Sequence, residues 1–375
     1  MSVVVKEYTA QSMPHAAVSF LQSSFWARFK TLHGWTYRQY EVWYESQSTV
    51  LTVLLRTLSV FGVLAYIPMG PSLLIDEDAR SLDAAQKRAA LLTELAAKLS
   101  ELLPASVFLI RFDPPWACSV KNNKKGTVSD TDFPLIPRIR RGKFRCIAAS
   151  STIQPPDTVQ LDLQQPLDAV FEDFKSKWRY NVRLAEKKGV TIQVFTGQQA
   201  GEAGVPLFYR LYQETALRDG IAIHSRDYYR SLCALAADQT QNTERIAIAV
   251  YAAFHQEQAL AAIIILFSPH EAVYLYGASS NQKRNLMPAY LLQWQAISDA
   301  HKAGCRRYDF YGIPPSDDPN HPMHGLYRFK TGFGGSIIHR VGSLDVPLKP
   351  LLYRCYAAAE RVRSFWFKTI KKRFS

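Results

Sequence analysis

No run of about 18 uncharged apolar residues occurs in this chain of 375 residues, so nothing in it reads as a bilayer-spanning helix. The most apolar stretch, LTVLLRTLSVFGVLAYI, is broken by arginine and reads as paired strands. The start, MSVVVKEYTAQSMPH, lacks the basic region, long apolar core and small-residue cleavage site of a signal peptide. Cysteine is scarce. Cys118, Cys146, Cys233, Cys305 and Cys355 are scattered, odd in number and without a CxxC pair, which argues against a disulfide framework or a zinc site and fits a reducing cytoplasm. His321 and His324 lie close together without a third ligand, so no metal is expected. There is no GxSxG, no Walker loop and no Cys/His nucleophile pattern. Acid is short as well: 32 Asp and Glu against 45 Lys and Arg leave a net charge of +13, which favours a polyanionic partner such as nucleic acid, anionic lipid or a phosphorylated substrate.

Hydrophobic residues make up 47% and charged residues 21%, a globular balance, and the length favours two domains. SFLQSSFWARFKTLHGW predicts a capped helix with Phe20, Phe25, Trp26 and Phe29 on helical spacing. TYRQYEVWY and TVLLRTLSVFGVLAYIP read as strands. DEDARSLDAAQKRAALLTELAAKLSELLP is a helix with acids first and proline last, and VFLIRFDPPW is a buried strand ending at Asp113. A loop (KNNKKGTVSDTD) and a basic segment (PRIRRGKFR) follow, with a domain boundary near SSTIQPPDTVQLDL. DAVFEDFKSKWRYNVRLAEKKG predicts one helix with the stripe Val170, Phe171, Phe174, Trp178, Val182 and Ala185, closed by Gly189. The order then repeats: VTIQVFTG, two helices, strands at RIAIAVYAAF, QALAAIIILFS and EAVYLYGAS, a helix after Pro288, and the strand CRRYDFYGIP. Two halves of similar order suggest duplicated α/β domains.

The strand, strand, helix, strand order of residues 246–312 resembles an acyl-CoA-dependent acetyltransferase core. Its phosphate-binding turn would be SSNQKRNLMPAY, which has no glycine, and Pro288 lacks one of the N–H donors a pyrophosphate needs; a coenzyme A site is disfavoured there. LYRFKTGFGGSIIH reads as a strand with Arg328 and Lys330 on one face and Gly332, Gly334 and Gly335 permitting a bulge or close approach of backbone. Alone it is either an exposed strand with a loose turn or a cationic reach into an anionic or developing oxyanion site. The helix around Lys175, Lys177, Arg179 and Arg183 carries six basic residues and one acid between Lys175 and Lys188. It is either a solvated face or, with Trp178 and Tyr180, a surface for phosphate contact and base stacking. Asp113 is either a turn former or a carboxylate held rigidly at a strand end.

Taken together, FLQSSFWARFK, IRFDP, KWRYNVRLAEKKGV, YGASSNQKRNLMPAYLLQWQAISDAHKAGCRRYDFYGIP and GLYRFKTGFGG resemble the Fem family (FemABX-like), the tRNA-dependent transferases that build peptidoglycan cross-bridges. The resemblance implies a mixed α/β chain of two tandem acetyltransferase-like (GNAT-like) domains without a coenzyme A site. It places residues 1–160, with 341–375 packing back on them, in a precursor-binding domain and 161–340 in an aminoacyl-tRNA-binding domain. No long coiled-coil insertion is apparent, as in the compact members. Position by position, Lys30 and Arg218 match groups that hold the precursor's phosphates, and Asp113 a carboxylate that orients the accepting amine. Tyr274 and Tyr276 match cleft-lining tyrosines, and Lys330 the lysine of the aminoacyl-tRNA end, with Lys330 and Asp113 the catalytic pair. Lys175, Lys177, Arg179, Arg183 and Arg328 are the expected tRNA contacts.

The implied reaction passes Gly, Ala or Ser from aminoacyl-tRNA to the side-chain amine at stem position three of a lipid II or UDP-linked muropeptide, with aminoacyl-tRNA as co-substrate and no other cofactor. The rivals are an acyl-CoA-dependent N-acyltransferase and a non-catalytic RNA-binding protein on the same fold. A cytoplasmic monomer is expected. The end, RVRSFWFKTIKKRFS, has six cations, no acid and three clustered aromatics, and reads either as a packing helix with a basic tail or as a peripheral contact with anionic membrane through 361–375.

Overall fold

A computed structural model of the chain describes residues 3–8, 19–73, 82–121, 139–141, 144–238, 240 and 244–365. The loop KNNKKGTVSDTD after Lys121, residues 137, 138, 142 and 143 of PRIRRGKFR, and the cationic end from residue 366 lie outside them. The chain divides into two compact units: among the described residues, unit 1 holds those before 119, from 139 to 156 and from 339 on, and unit 2 holds 119–121 and 157–338.

Unit 1 is a sheet of eight strands covered by helices. Its strands are β1 (Val4–Glu7), β2 (Thr36–Tyr44), β3 (Gln47–Leu58), β4 (Gly62–Pro68), β5 (Val107–Asp113), β7 (Ile139–Arg141), β8 (Phe144–Ala148) and β16 (Leu344–Pro347), in the order β1-β2-β3-β4-β5-β16-β8-β7. The first four form an antiparallel meander. Helix α2 (Leu82–Leu102) then carries the chain over, and β5 returns parallel to β4. Ala89, Leu92, Ala96 and Leu99 recur at helical spacing and are all fully buried against the sheet, which is why this segment folds as a helix on that face. Every residue of β5 is buried, the apolar Val107–Ile110 and Phe112 as a central strand requires, and Arg111 and Asp113 with them. On the opposite face Phe108 meets Tyr356 of α10 (Pro350–Phe365), ring centroids 5.4 Å apart. Helix α1 (Ser24–Thr31) is capped by the Ser23 hydroxyl, which accepts from the Trp26 N–H. It is anchored through buried Gln22, whose side-chain oxygen accepts from the Thr52 N–H at 2.8 Å and whose backbone carbonyl accepts from the Thr52 hydroxyl at 2.7 Å.

Unit 2 repeats the wiring. Its strands are β6 (Ala117–Lys121), β9 (Asp157–Asp162), β10 (Val190–Thr196), β11 (Ala247–His255), β12 (Gln258–Phe267), β13 (Glu271–Ser279), β14 (Arg307–Gly312) and β15 (Ser336–Arg340), in the order β10-β11-β12-β13-β14-β9-β15-β6. After the antiparallel β10–β13, helix α8 (Pro288–Lys302) crosses to β14, which is parallel to β13. The long helix predicted from residue 168 is two: α3 (Leu167–Glu172) and α4 (Ser176–Lys187). The chain breaks at Lys175, whose N–H leaves the helical ladder to donate to the Gly332 carbonyl at 2.9 Å. A turn, α5 (Gly197–Gln199), precedes α6 (Val205–Asp219) and α7 (Arg226–Ala237), and α9 (His324–Thr331) follows β14. The two longest helices of unit 2, α6 and α8, have 15 residues each, so no long helical insertion is present among the described residues.

Candidate active site

In unit 1, Asp113 closes β5. It is 6% exposed and held rigidly: the Tyr66 and Ser343 hydroxyls each donate to its carboxylate, and the Gln154 N–H donates at 3.3 Å. Burial pushes this carboxyl above the usual carboxylate range, against those hydrogen bonds. A small pocket opens beside it, lined by Met69, Pro114, Gln154, Arg340 and Gly342. Two residues earlier on the same strand, fully buried Arg111 binds both carboxylate oxygens of Asp345, at 2.7 and 2.9 Å, and donates to Glu360 of α10 at 2.9 Å. The register pairs Asp345 with Arg111 and Leu344 with Phe112, so Ser343 arrives opposite Asp113.

Lys30, the last cation of α1, is half-buried with its ammonium 5.8 Å from the Trp26 ring centre and 5.5 Å from that of Trp35. The Arg56 guanidinium lies 5.3 Å from the same Trp35 ring. Burial first, and Arg56 second, push the Lys30 ammonium down to about 8, so an anion arriving here would be drawn to a site where two like charges already face one aromatic ring.

In unit 2 the segment LYRFKTGFGG is not a strand. Its first half is the end of α9, where residues two apart lie on different sides of the helix: Lys330 is buried and Arg328 exposed. The glycines do allow close approach. A Cβ at Gly332 would overlap the Trp178 ring, and Gly334 and Gly335 take left-handed φ values of 83° and 74° where the chain meets the backbone of Asp173 and Gln160.

The Lys330 ammonium donates to three carbonyls, Phe310 at 2.7 Å, Gly312 at 2.8 Å and Tyr311 at 3.4 Å, all on β14, and lies 5.1 Å from the Tyr274 ring of β13. It sits where those parallel strands part. They pair only from Glu271–Arg307 to Val273–Asp309, and a bulge at Leu275 then turns β13 aside. Burial pushes the ammonium down to about 7, against an upward pull from Asp309.

Tyr274 thus meets Lys330 directly. Tyr276 instead joins an aromatic cluster, 5.0 Å from the Tyr229 ring and hydrogen-bonded to Tyr228. Burial pushes both phenols up, so they remain protonated near neutral pH. Arg218 lies at the far end of β13, donating to the Ser279 carbonyl at 2.9 Å and to Asn281 at 3.0 Å while paired with Asp219 at 2.8 Å.

Lys175 at the start of α4 and Lys177 and Arg183 on it are exposed, Arg183 lying over the Phe171 ring at 5.4 Å. Arg179 donates to the Glu172 and Phe174 carbonyls. Trp178 is core, as its place in the apolar stripe implied and against the alternative of a base-stacking group: it is 7% exposed and donates its indole N–H to the Phe329 carbonyl at 2.9 Å. Tyr180, 61% exposed, is the aromatic that faces solvent. The Trp178 and Lys175 bonds tie α4 to α9, bringing Arg328 onto the same part of unit 2 as the α4 cations.

Residues that sequence reading passed over support both sites. Tyr66 and Ser343 hold Asp113, and nothing in their local sequence marks them. Asp309, a carboxylate inside the otherwise apolar YDFYG, carried a signal. Among the described residues no group of His, Cys, Asp and Glu could hold a metal ion, and no helix is long and apolar enough to cross a membrane.

A solved structure of FemX superposes with a TM-score of 0.66 over 90% of this chain and 94% of its own, at 18% identity, and so shares the fold. Lipid II:glycine glycyltransferases are similar along nearly the whole length: that of Staphylococcus saprophyticus is 23% identical and that of Staphylococcus aureus 22%, each alignment covering 94% of both chains. Those alignments run to 411 and 417 positions, longer than this chain, so the relatives carry segments it lacks. The sequence model of the FemAB family matches residues 3–241 and 234–361. With segments spread over both units matching in family order, the chain belongs to the FemAB family.

Proposed function

We propose that this chain is an aminoacyltransferase that moves Gly, Ala or Ser from aminoacyl-tRNA to the side-chain amine at position three of the stem peptide, on a lipid-linked or nucleotide-linked muropeptide. The observation that carries the reading is Lys330, a buried ammonium in the opened seam between β13 and β14, in a chain whose relatives are lipid II:glycine glycyltransferases.

The chemistry is aminolysis of an ester. The neutral amine attacks the ester carbonyl, a C–N bond forms, the C–O bond to the terminal ribose breaks, and the ribose oxygen leaves as a hydroxyl after taking up a proton. The donor is already activated, so the protein's task is alignment and charge stabilisation, with no cofactor beyond the charged tRNA. Lys330 supplies positive charge to the tetrahedral intermediate or to the terminal tRNA phosphate. Asp113, fixed by Tyr66 and Ser343, orients the accepting amine. Lys30 meets the precursor's phosphates; Arg218, whose guanidinium already binds the end of β13, contributes from there. Tyr274 and Tyr276 line the cleft. Lys175, Lys177, Arg179, Arg183 and Arg328 follow the tRNA backbone. The chain acts as a cytoplasmic monomer, with 361–375 resting on the anionic membrane face that carries the lipid-linked acceptor.

Incubation with charged tRNAs and each muropeptide, followed by mass spectrometry, tests the reading. A mass gain of one amino-acid residue on the third stem position is expected. Failure of every charged tRNA to label either acceptor overturns it.

A further inference from the structure

Three successive carbonyls cannot turn toward one ammonium in a regular strand. Neighbouring carbonyls of an extended chain point to opposite sides, and residues two apart are separated by about 6.6 Å. The Phe310 and Gly312 oxygens both bind the Lys330 nitrogen, at 2.7 and 2.8 Å, so they lie no more than about 5.5 Å apart. The chain must therefore be kinked between them. The kink is at Tyr311, whose φ of 58° lies in the left-handed region that a bulky residue rarely adopts.

What holds Tyr311 there is a clamp from the preceding strand residues. The Asp309 carboxylate reaches two residues ahead and accepts from the Tyr311 N–H at 2.7 Å. That carboxylate is itself fixed: the Thr158 hydroxyl donates to one oxygen and the Gln160 amide donates to the other at 2.8 Å, both from β9. The Thr158 hydroxyl also lies 3.0 Å from the Tyr311 carbonyl. Asp309 is only 5% exposed; beside its electrostatic pull on the Lys330 ammonium, it reaches that group through the backbone of Tyr311, whose neighbours' carbonyls bind the ammonium.

We infer that Asp309 is the positioning residue for Lys330: by holding Tyr311 in a left-handed conformation it bends β14 into a three-carbonyl cradle that fixes where the ammonium sits. Asp309 works through main-chain shape, with Thr158 and Gln160 as its supports. Its importance for catalysis rests on the role proposed for Lys330, but the cradle itself does not.

The test uses the full-length protein and reads the cradle directly, without tRNA or muropeptide. An amine-selective acetylating reagent is applied, and modification at Lys330 is followed by mass spectrometry, with circular dichroism confirming the fold. Asp309→Ala should raise the labelling rate of Lys330 at least tenfold, whereas Asp309→Asn, which keeps an acceptor for the Tyr311 N–H, should stay near wild type. Glycine adopts the left-handed conformation unaided. The double variant Asp309→Ala with Tyr311→Gly should therefore return labelling to the level of Tyr311→Gly alone. A double variant labelled as fast as Asp309→Ala overturns the inference, and so does an Asp309→Ala protein labelled like wild type. Should Asp309→Ala fail to fold, Thr158→Val takes its place: it removes two supports of the kink, and its faster labelling must likewise be suppressed by Tyr311→Gly. Labelling that follows this pattern in a protein showing no transfer would sink the proposed reaction and leave the cradle standing.

Discussion

In unit 1 the parallel pair β4/β5, after one shift between Val63 and Leu64, stays in register from Leu64–Leu109 to Pro68–Asp113 at the strand end, whereas in unit 2 the pair β13/β14 is in register only from Glu271–Arg307 to Val273–Asp309. The two pairs have the same wiring, a meander followed by a helical crossover. The closed seam ends on a carboxylate whose partners lie in its own unit, the Tyr66 and Ser343 hydroxyls and the Gln154 N–H. The opened seam exposes β14 carbonyls that a continued β13 would otherwise satisfy, and Lys330 satisfies them instead. One wiring thus yields two kinds of site: a closed pair fixes a charge at its end, and an open pair makes room for a charge within it.

Breaking the closed seam should have the largest effect. Arg111→Ala leaves Asp345 and Glu360 buried without their shared cation, and loss of one partner from such a buried cluster costs about 3–5 kcal/mol. Urea unfolding should show the drop, and a change below about 1 kcal/mol would mean that the cluster does not hold β5 and β16 together.

Emptying the open seam comes next. Lys330→Met should cut transfer by roughly 100-fold, the scale of losing one charge-stabilising donor, with little change in muropeptide binding. Equal transfer rates would remove Lys330 from the mechanism. The same variant reports the ionisation. Burial lowers the Lys330 ammonium from the ordinary lysine value of 10.5 to about 7, so between those values the unfolded chain holds a proton that the folded chain does not. The stability of wild type relative to Lys330→Met should rise with pH across that window and stay flat below it. A difference that is flat throughout would show that the seam does not perturb the amine.

The smallest change tests the packing of α4 against the end of α9. A Cβ at Gly332 overlaps the Trp178 ring, so Gly332→Ala should cost about 1–3 kcal/mol through overpacking, read from the urea midpoint. A neutral result would mean that Trp178 yields without cost.

Legibility differed between the two sites for a physical reason. The strand ending in IRFDP could be read as buried with a carboxylate at its end, because an apolar run and two prolines are local signals. Whether that carboxylate was held could not be read: Tyr66 and Ser343 lie 47 and 230 residues from Asp113 in sequence. LYRFKTGFGG was read with the wrong period, since alternating cations followed by glycines suit a strand as well as the last turns of a helix. Its glycines are explained by Trp178 and by the backbone at Gln160, neither of which is local.

The sequence by itself determined the element types of the long periodic segments, the mixed α/β class, the cationic excess and the family, since these follow from local pattern and from motifs in order. Tertiary structure alone decided that Lys330 is buried and Arg328 exposed, and that one parallel seam closes while the other opens. Those outcomes depend on which distant backbone groups come within hydrogen-bonding distance, and a kinked strand such as that at Tyr311 exists only where its neighbours hold it.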